Sequence, residues 1–250
     1  MSRVAVLRFG AALILLAVWE GAARSGLFYE GVLPSILQIG AALAGLLVDP
    51  AFWRHAALTL FEVVCALLIG GTLGAACGIL VGGGRLLRQA YEPALHYLAP
   101  TPKIIFLPIL IALCGVGPSS KIVMGALSCF FPLALSVASG MAGIDPVHLR
   151  VARSFGLSRT RTLRSVVLPS LVRPLATGLR LGLGVAVIGC LLGEIKLSNR
   201  GLGFLAIQYY GQFRIPQMYA VLLVVFALAG LGNAAAGRIR PRGTTAGALT

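Results

Sequence analysis

Acidic residues are scarce in this chain: 7 Asp and Glu stand against 21 Lys and Arg in 250 residues, a formal net charge of +14. Charged residues of all kinds make up 11%, where soluble domains carry about 25%. With 58% hydrophobic residues and a mean hydropathy of +0.94, a soluble core of this length could not bury so much apolar surface. Lipid is therefore the expected solvent. A GxxxxGK[ST] phosphate loop is missing, which excludes ATP binding in that manner. Histidine is limited to His55, His96 and His148, far apart in the chain. Cys65, Cys77, Cys114, Cys129 and Cys190 show no paired metal-ligand spacing and read as small membrane-packing residues. No cofactor is expected. The basic balance would point to nucleic acid in a soluble protein, but here the arginines lie between apolar runs and topology explains them.

What the chain does have is six apolar stretches of about 20 residues, the length of a membrane-crossing helix. They run from about Val4 to Ala23, Ala57 to Val81, Ala94 to Val116, Ile122 to Met141, Pro174 to Ile195 and Met218 to Ala236. The fold class is thus all-α and integral to the membrane, with about six transmembrane helices. Residues 1–56 make a first span and outer segment, 57–236 a core of five spans, and 237–250 a basic tail. The first span also resembles a signal peptide, with basic residues, an apolar stretch and then small residues. An uncleaved anchor leaves six spans and cleavage leaves five.

Arginine and lysine orient the bundle. With a cytoplasmic amino terminus, the inner side receives thirteen: Arg3, Arg8, Arg85, Arg88, six between 150 and 173, Arg238, Arg240 and Arg242. The outer side receives six: Arg24, Arg54, Lys121, Lys196, Arg200 and Arg214. The positive-inside rule then puts both termini in the cytoplasm.

Within the spans, Gly70, Gly71, Gly74 and Gly78, and later Gly178, Gly182 and Gly184, allow close helix approach. The third span is broken by Pro100, Pro102 and Pro108 and carries Lys103. Irregular backbone at membrane depth is tolerated when buried in protein or lining a cavity. Pro102, Lys103 and Pro108 are therefore candidates for a translocation pathway; the other reading is a kinked packing helix whose lysine snorkels to the headgroups. Interface anchoring accounts for Glu62 and Glu194, and Arg180 could pair with a lipid phosphate.

The longest polar interruption is Asp145 to Arg173, with arginines at 150, 153, 159, 161, 164 and 173. Lipid cannot host it, so it lies outside the bilayer. HLRVARSFG has helical propensity and stops at Gly156; SRTRTLRSVVL forms a second short helix ending before Pro169. The result is a compact knob. A basic helix on anionic lipid is the alternative.

Spacing in this loop resembles the inner-membrane permease subunits of bacterial ATP-binding-cassette importers. Their signature is Glu-Ala-Ala, three residues, Gly, nine residues, Ile, one residue, Leu-Pro. Here Arg150-Val151-Ala152, Gly156, Val166 and Leu168-Pro169 stand at those spacings, with Arg150 reversing the charge of the family glutamate. PTPKIIFLPILIALCGVGPSSKI, FFPLALSVASGMAGID and GEIKLSNRGLGFLAI look like the nitrate, sulfonate and taurine subfamily, so that the resemblance covers roughly residues 57 to 236.

That resemblance implies a type I importer permease fold and a multi-pass subunit of the bacterial inner membrane. It implies an ATP-driven importer for a small, mostly anionic solute, with ATP bound by cytoplasmic ATPase subunits and none by this chain. Arg150, Val151, Ala152, Arg153, Ser154, Phe155, Gly156, Leu157 and Ser158 would seat in a groove of the ATPase, with Val166, Leu168 and Pro169 completing the signature. A second permease copy, identical in sequence, would complete the path, and an extracytoplasmic solute-binding protein would deliver solute. The rival classes are an ion-coupled secondary transporter, which needs polar groups at mid-membrane, and an integral-membrane enzyme.

Overall fold

A computed structural model describes residues 3–26 and 32–237. The basic tail after Gly237, with Arg238, Arg240 and Arg242, lies outside the described residues. The described chain is helical: α1 (Arg3–Arg24), α2 (Ile36–Val48), α3 (Pro50–Gly82), α4 (Arg85–Leu98), a 3-10 turn (Lys103–Phe106), α5 (Leu107–Cys114), α6 (Pro118–Ala142), α7 (Pro146–Ser154), α8 (Arg159–Thr162), a π turn (Leu163–Val167), α9 (Leu168–Leu197), α10 (Leu202–Gly211) and α11 (Ile215–Gly237). Five helices are long and apolar enough to cross a membrane. The pair Arg85–Leu98 and Lys103–Cys114 makes a sixth if counted as one span, and it is bent by 88°. The third span is thus two helical pieces meeting nearly at a right angle, where Pro100 and Pro102 deny the backbone its donors.

The chain forms two compact units. The first takes the chain up to Leu58 together with Glu194–Ala227. In it, α1 is tied to its neighbours by polar contacts: Trp19 Nε1 donates to the Pro34 carbonyl at 3.1 Å, and the Glu20 carboxylate accepts the Ile36 N–H at 2.9 Å. The Trp19 ring also meets Tyr219 edge-on at 5.5 Å. Helix α2 starts with a capping box, Ser35 and Gln38 each satisfying the other's backbone N–H. Glu194 is fully buried and accepts the Gly203 N–H at 2.7 Å, at the positive end of α10.

The second unit takes Thr59–Gly193 together with the chain from Leu228 on. Its centre is α6. A Cβ at Gly74 would stand 2.5 Å from the Phe130 carbonyl oxygen, and one at Gly78 or Gly82 2.6 Å from that of Ala134 or Ala138. Only glycine lets α3 lie that close to the α6 backbone. On the α9 side, Gly178 and Gly182 press on Leu133, whereas Gly184 faces open space. Leu133, Ala134, Val137 and Ala138 of α6 are buried as a result.

Charge placement differs from expectation here. Glu62 and Lys121 are 1% and 2% exposed, so neither anchors at a lipid interface. Lys121 donates to the carbonyls of Val116 and Gly117 in the turn before α6. Arg180 donates through Nε to Asn233 Oδ1 at 3.1 Å, a partner within the second unit.

Candidate functional site: the 145–169 loop and the break at Lys103

The loop after α6 folds as a defined knob within the second unit. Asp145 caps α7, its carboxylate accepting the Val147 N–H at 2.8 Å, and Pro146 fills the first helical position. The helix ends as a Schellman turn: Gly156 N–H donates to the Arg153 carbonyl at 2.9 Å and Leu157 N–H to that of Ala152 at 3.0 Å. Gly156 takes φ +66, the left-handed conformation that this turn requires. Ser158 then caps α8, its Oγ accepting the Arg161 N–H at 3.3 Å.

Two faces of α7 differ sharply. Ala152 is 3% exposed, and Leu149 packs on the buried cluster of Val137, Ile144, Val167 and Leu171. The other face is open, with Val147, Arg150, Val151 and Arg153 exposed and Phe155 79% exposed at its end. One small buried residue holds the helix down, and an aromatic and two arginines are left for something else to meet.

The expected second short helix does not stop before Pro169. Helix α8 passes through the π turn at Leu163–Val167, where Leu168 N–H reaches the Leu163 carbonyl, and continues as α9. A proline inside an α-helix clashes with the carbonyl four residues back and removes a donor. The wider π turn just before Pro169 shifts those carbonyls, so the helix survives the proline. Ser170 Oγ donates to the Val166 carbonyl at 2.7 Å and satisfies one of them.

At the break in the third span, Pro102 and Lys103 line a cavity of about 350 Å³ together with Met124, Ser128, Ile188 and Leu192. Its wall is mainly apolar. The Lys103 ammonium donates to the carbonyls of Leu98 and Ala99, the open C-terminal end of α4. It also lies 4.8 Å from the centre of the Phe131 ring. Lys103 therefore staples the break to α6. Pro108 sits at the start of α5 and is not part of the cavity wall.

Residues 70–242 match the family model described as binding-protein-dependent transport system inner membrane component. The chain belongs to that family. The permease is 32% identical to the taurine transport system permease protein TauC of Escherichia coli strain K12, over 91% of this chain and 84% of that protein. It is 27% identical to the putative aliphatic sulfonates transport permease protein SsuC of Bacillus subtilis strain 168, over 87% and 78%. Its fold is that of the permease in the inward-facing MetNI methionine ABC transporter, with a TM-score of 0.62 at 23% identity over 79% of this chain and 95% of that one. The permease is thus an all-α, multi-pass membrane subunit of a binding-protein-dependent ABC importer.

Within the permease, the signature residues have separate structural duties. Ala152 is buried packing, Gly156 is the left-handed turn, and Leu168-Pro169 opens α9 after the π turn. Arg150, Val151, Arg153, Ser154, Phe155 and Ser158 are exposed, and Leu157 is half-buried. Sequence reasoning missed the π turn, the burial of Glu62, Lys121 and Glu194, and the bond from Gly201 N–H to His55 Nδ1. The glycine of RGLG ahead of an apolar run was the available signal for the turn at Gly201, which takes φ +104.

Proposed function

We propose that this permease moves a small anionic solute, of the sulfonate, taurine or nitrate kind, by forming a path with a second copy of itself and coupling it to cytoplasmic ATPases through the 145–169 loop. The solute class is inferred from relatives named as taurine, aliphatic sulfonate and nitrate permeases. ATP is bound and hydrolysed by the partner subunits, and this chain needs no cofactor. Both termini lie in the cytoplasm, by the excess of basic residues on that side. The first helix is retained; the contacts of Trp19 and Glu20 support this.

The observation that carries the reading is the two-faced α7. A helix held down by Ala152 and Leu149, with Arg150, Val151 and Phe155 exposed, suits docking into a groove as a rigid body. Arg150 in place of the family glutamate calls for an acidic groove. The cavity beside Lys103 is the candidate stretch of path within this chain.

Co-purification with a cytoplasmic ABC ATPase and a solute-binding protein from the same genome tests the reading. A stable complex containing two ATPase copies is expected, together with ATPase activity stimulated by solute-loaded binding protein. A chain that purifies alone and moves solute without ATP would overturn it. Loss of assembly affinity in Arg150→Glu is expected; unchanged affinity removes the acidic-groove assignment.

A further inference from the structure

Among the described residues, Phe213 is the one non-glycine in the left-handed region, at φ +57 in the turn between α10 and α11. The turn is a Schellman end: Phe213 N–H donates to the Tyr210 carbonyl at 3.0 Å and Arg214 N–H to that of Tyr209 at 2.9 Å. Such ends ordinarily place glycine at this position, and a bulky side chain is strained there. Gly211, two residues earlier, ends α10 without entering that region. The ring does not repay the strain inside the chain, since Phe213 is 87% exposed. Glycine would serve the fold better, so the use of the ring lies outside it. Strained residues held in this way concentrate at binding and switch sites.

Lipid does not account for the ring. The apolar run of α11 from Met218 to Ala236 is about 28 Å long, close to the hydrocarbon thickness of about 30 Å. Phe213 stands about 7 Å beyond the outer end of that run, between exposed Gln212 and Arg214. Aromatics that settle among headgroups are Trp and Tyr, whose polar tips reach water, and phenylalanine has no such tip. Arg214, the next residue, lines an open groove of about 630 Å³ with Gln38, Leu46, Asp49, Tyr209 and Gln217. Its guanidinium rests 4.9 Å from the centre of the Tyr209 ring. An exposed aromatic knob beside a groove of mixed polarity has the anatomy of an interface that a partner joins and leaves, with an apolar anchor and a polar rim.

We propose that Phe213 is the anchor by which the extracytoplasmic solute-binding protein docks on this permease, with the groove beside it meeting that protein's polar rim. The assignment rests on the importer reading and topology proposed above, which put this turn on the face away from the ATPase. A partner arriving there comes from water, and a binding-protein-dependent permease is the kind that such a protein must reach and release. Covering the ring removes apolar surface from water only while the partner is seated.

The test uses the permease–ATPase complex in nanodiscs and the solute-binding protein that co-purifies with it. Wild type is compared with Phe213→Gly and Phe213→Asn, both of which suit a left-handed turn. Folding and docking should then move in opposite directions. In Phe213→Gly the thermal midpoint is expected to hold or rise while affinity for the binding protein falls at least tenfold, and Phe213→Asn should follow it. Unchanged affinity in both variants overturns the anchor. A midpoint that falls together with the affinity makes the ring a structural residue and overturns it as well. Phe213→p-benzoylphenylalanine then names the occupant. A photo-crosslink to the binding protein is expected, and one confined to lipid or to the second permease copy overturns the assignment. If the wild type holds neither the ATPase nor a binding protein, the importer reading falls and the anchor with it. A difference between variants on an assembled complex bears on the anchor alone.

Discussion

Gly201 donates its N–H to His55 Nδ1 at 2.9 Å, a bond between residues 146 positions apart in the chain. The same glycine takes φ +104 and lies against the buried carboxylate of Glu194, which accepts the Gly203 N–H at 2.7 Å. An imidazole and a carboxylate thus grip one turn of backbone at the entrance to α10. The grip accounts for a buried Glu194: its carboxyl group sits at a helix amino terminus, where backbone N–H groups point outward and one of them, that of Gly203, donates to it.

Gly201→Ala should therefore be costly. A methyl at this φ is strained, and a Cβ would stand 2.6 Å from Glu194 Oε2. A loss of about 2 kcal/mol or more is expected, read as a lowered thermal midpoint of the detergent-purified protein. His55→Phe keeps the stacking ring but removes the acceptor, and about 1 kcal/mol should go. An unchanged midpoint in Gly201→Ala would contradict the close contact.

Glycines of the spans divide by what a methyl would meet. Gly78→Ala puts a Cβ 2.6 Å from the Ala134 carbonyl oxygen and 2.7 Å from Val137 Cβ, so α3 and α6 must move apart. A cost of about 1–3 kcal/mol is expected. Gly184→Ala meets nothing within 4 Å and gains helix propensity, so its midpoint should hold or rise. Equal effects at the two positions would refute the packing assigned to Gly78.

Lys103 holds the third-span break by closing the end of α4 and resting on Phe131. Lys103→Met keeps the stem and removes both interactions. Amide hydrogen exchange across residues 99–106 should accelerate about tenfold, equivalent to about 1.4 kcal/mol of local opening. Exchange at the wild-type rate would leave Lys103 without a structural duty.

Much of this architecture was legible in hydropathy, because a 20-residue apolar run has few other uses. The Ala57–Val81 stretch became α3 with a longer amino-terminal end, and the proline-rich third span was expected to be irregular. The stop expected at Pro169 was wrong, since a proline is a local signal and the π turn that absorbs it leaves no mark in composition. The buried charges were equally hidden. Glu62 and Glu194 lie towards the outer ends of apolar runs and read as interface anchors, whereas burial depends on which helices pack around them. At the loop the reverse holds: Asp145, Pro146 and Gly156 are local stop and start signals, and each does in the fold what its chemistry dictates.

Gly156 separates two costs that usually arrive together. Its φ of +66 strains an alanine by about 1 kcal/mol, yet a Cβ there meets nothing within 4 Å in its own chain. Asparagine tolerates the left-handed region but brings a larger side chain. If only the backbone turn matters, Gly156→Asn should couple better than Gly156→Ala. If the turn seats against the ATPase, bulk decides and asparagine should be the worse of the two. The docking role of the loop requires the second order, with Gly156→Asp worst of all because it adds a charge where the partner must close. The measurement is solute-stimulated ATPase activity of the reconstituted complex, with membrane insertion checked alongside. Intact stimulation in Gly156→Asp would detach α7 from the coupling, whatever the loop's resemblance to its family.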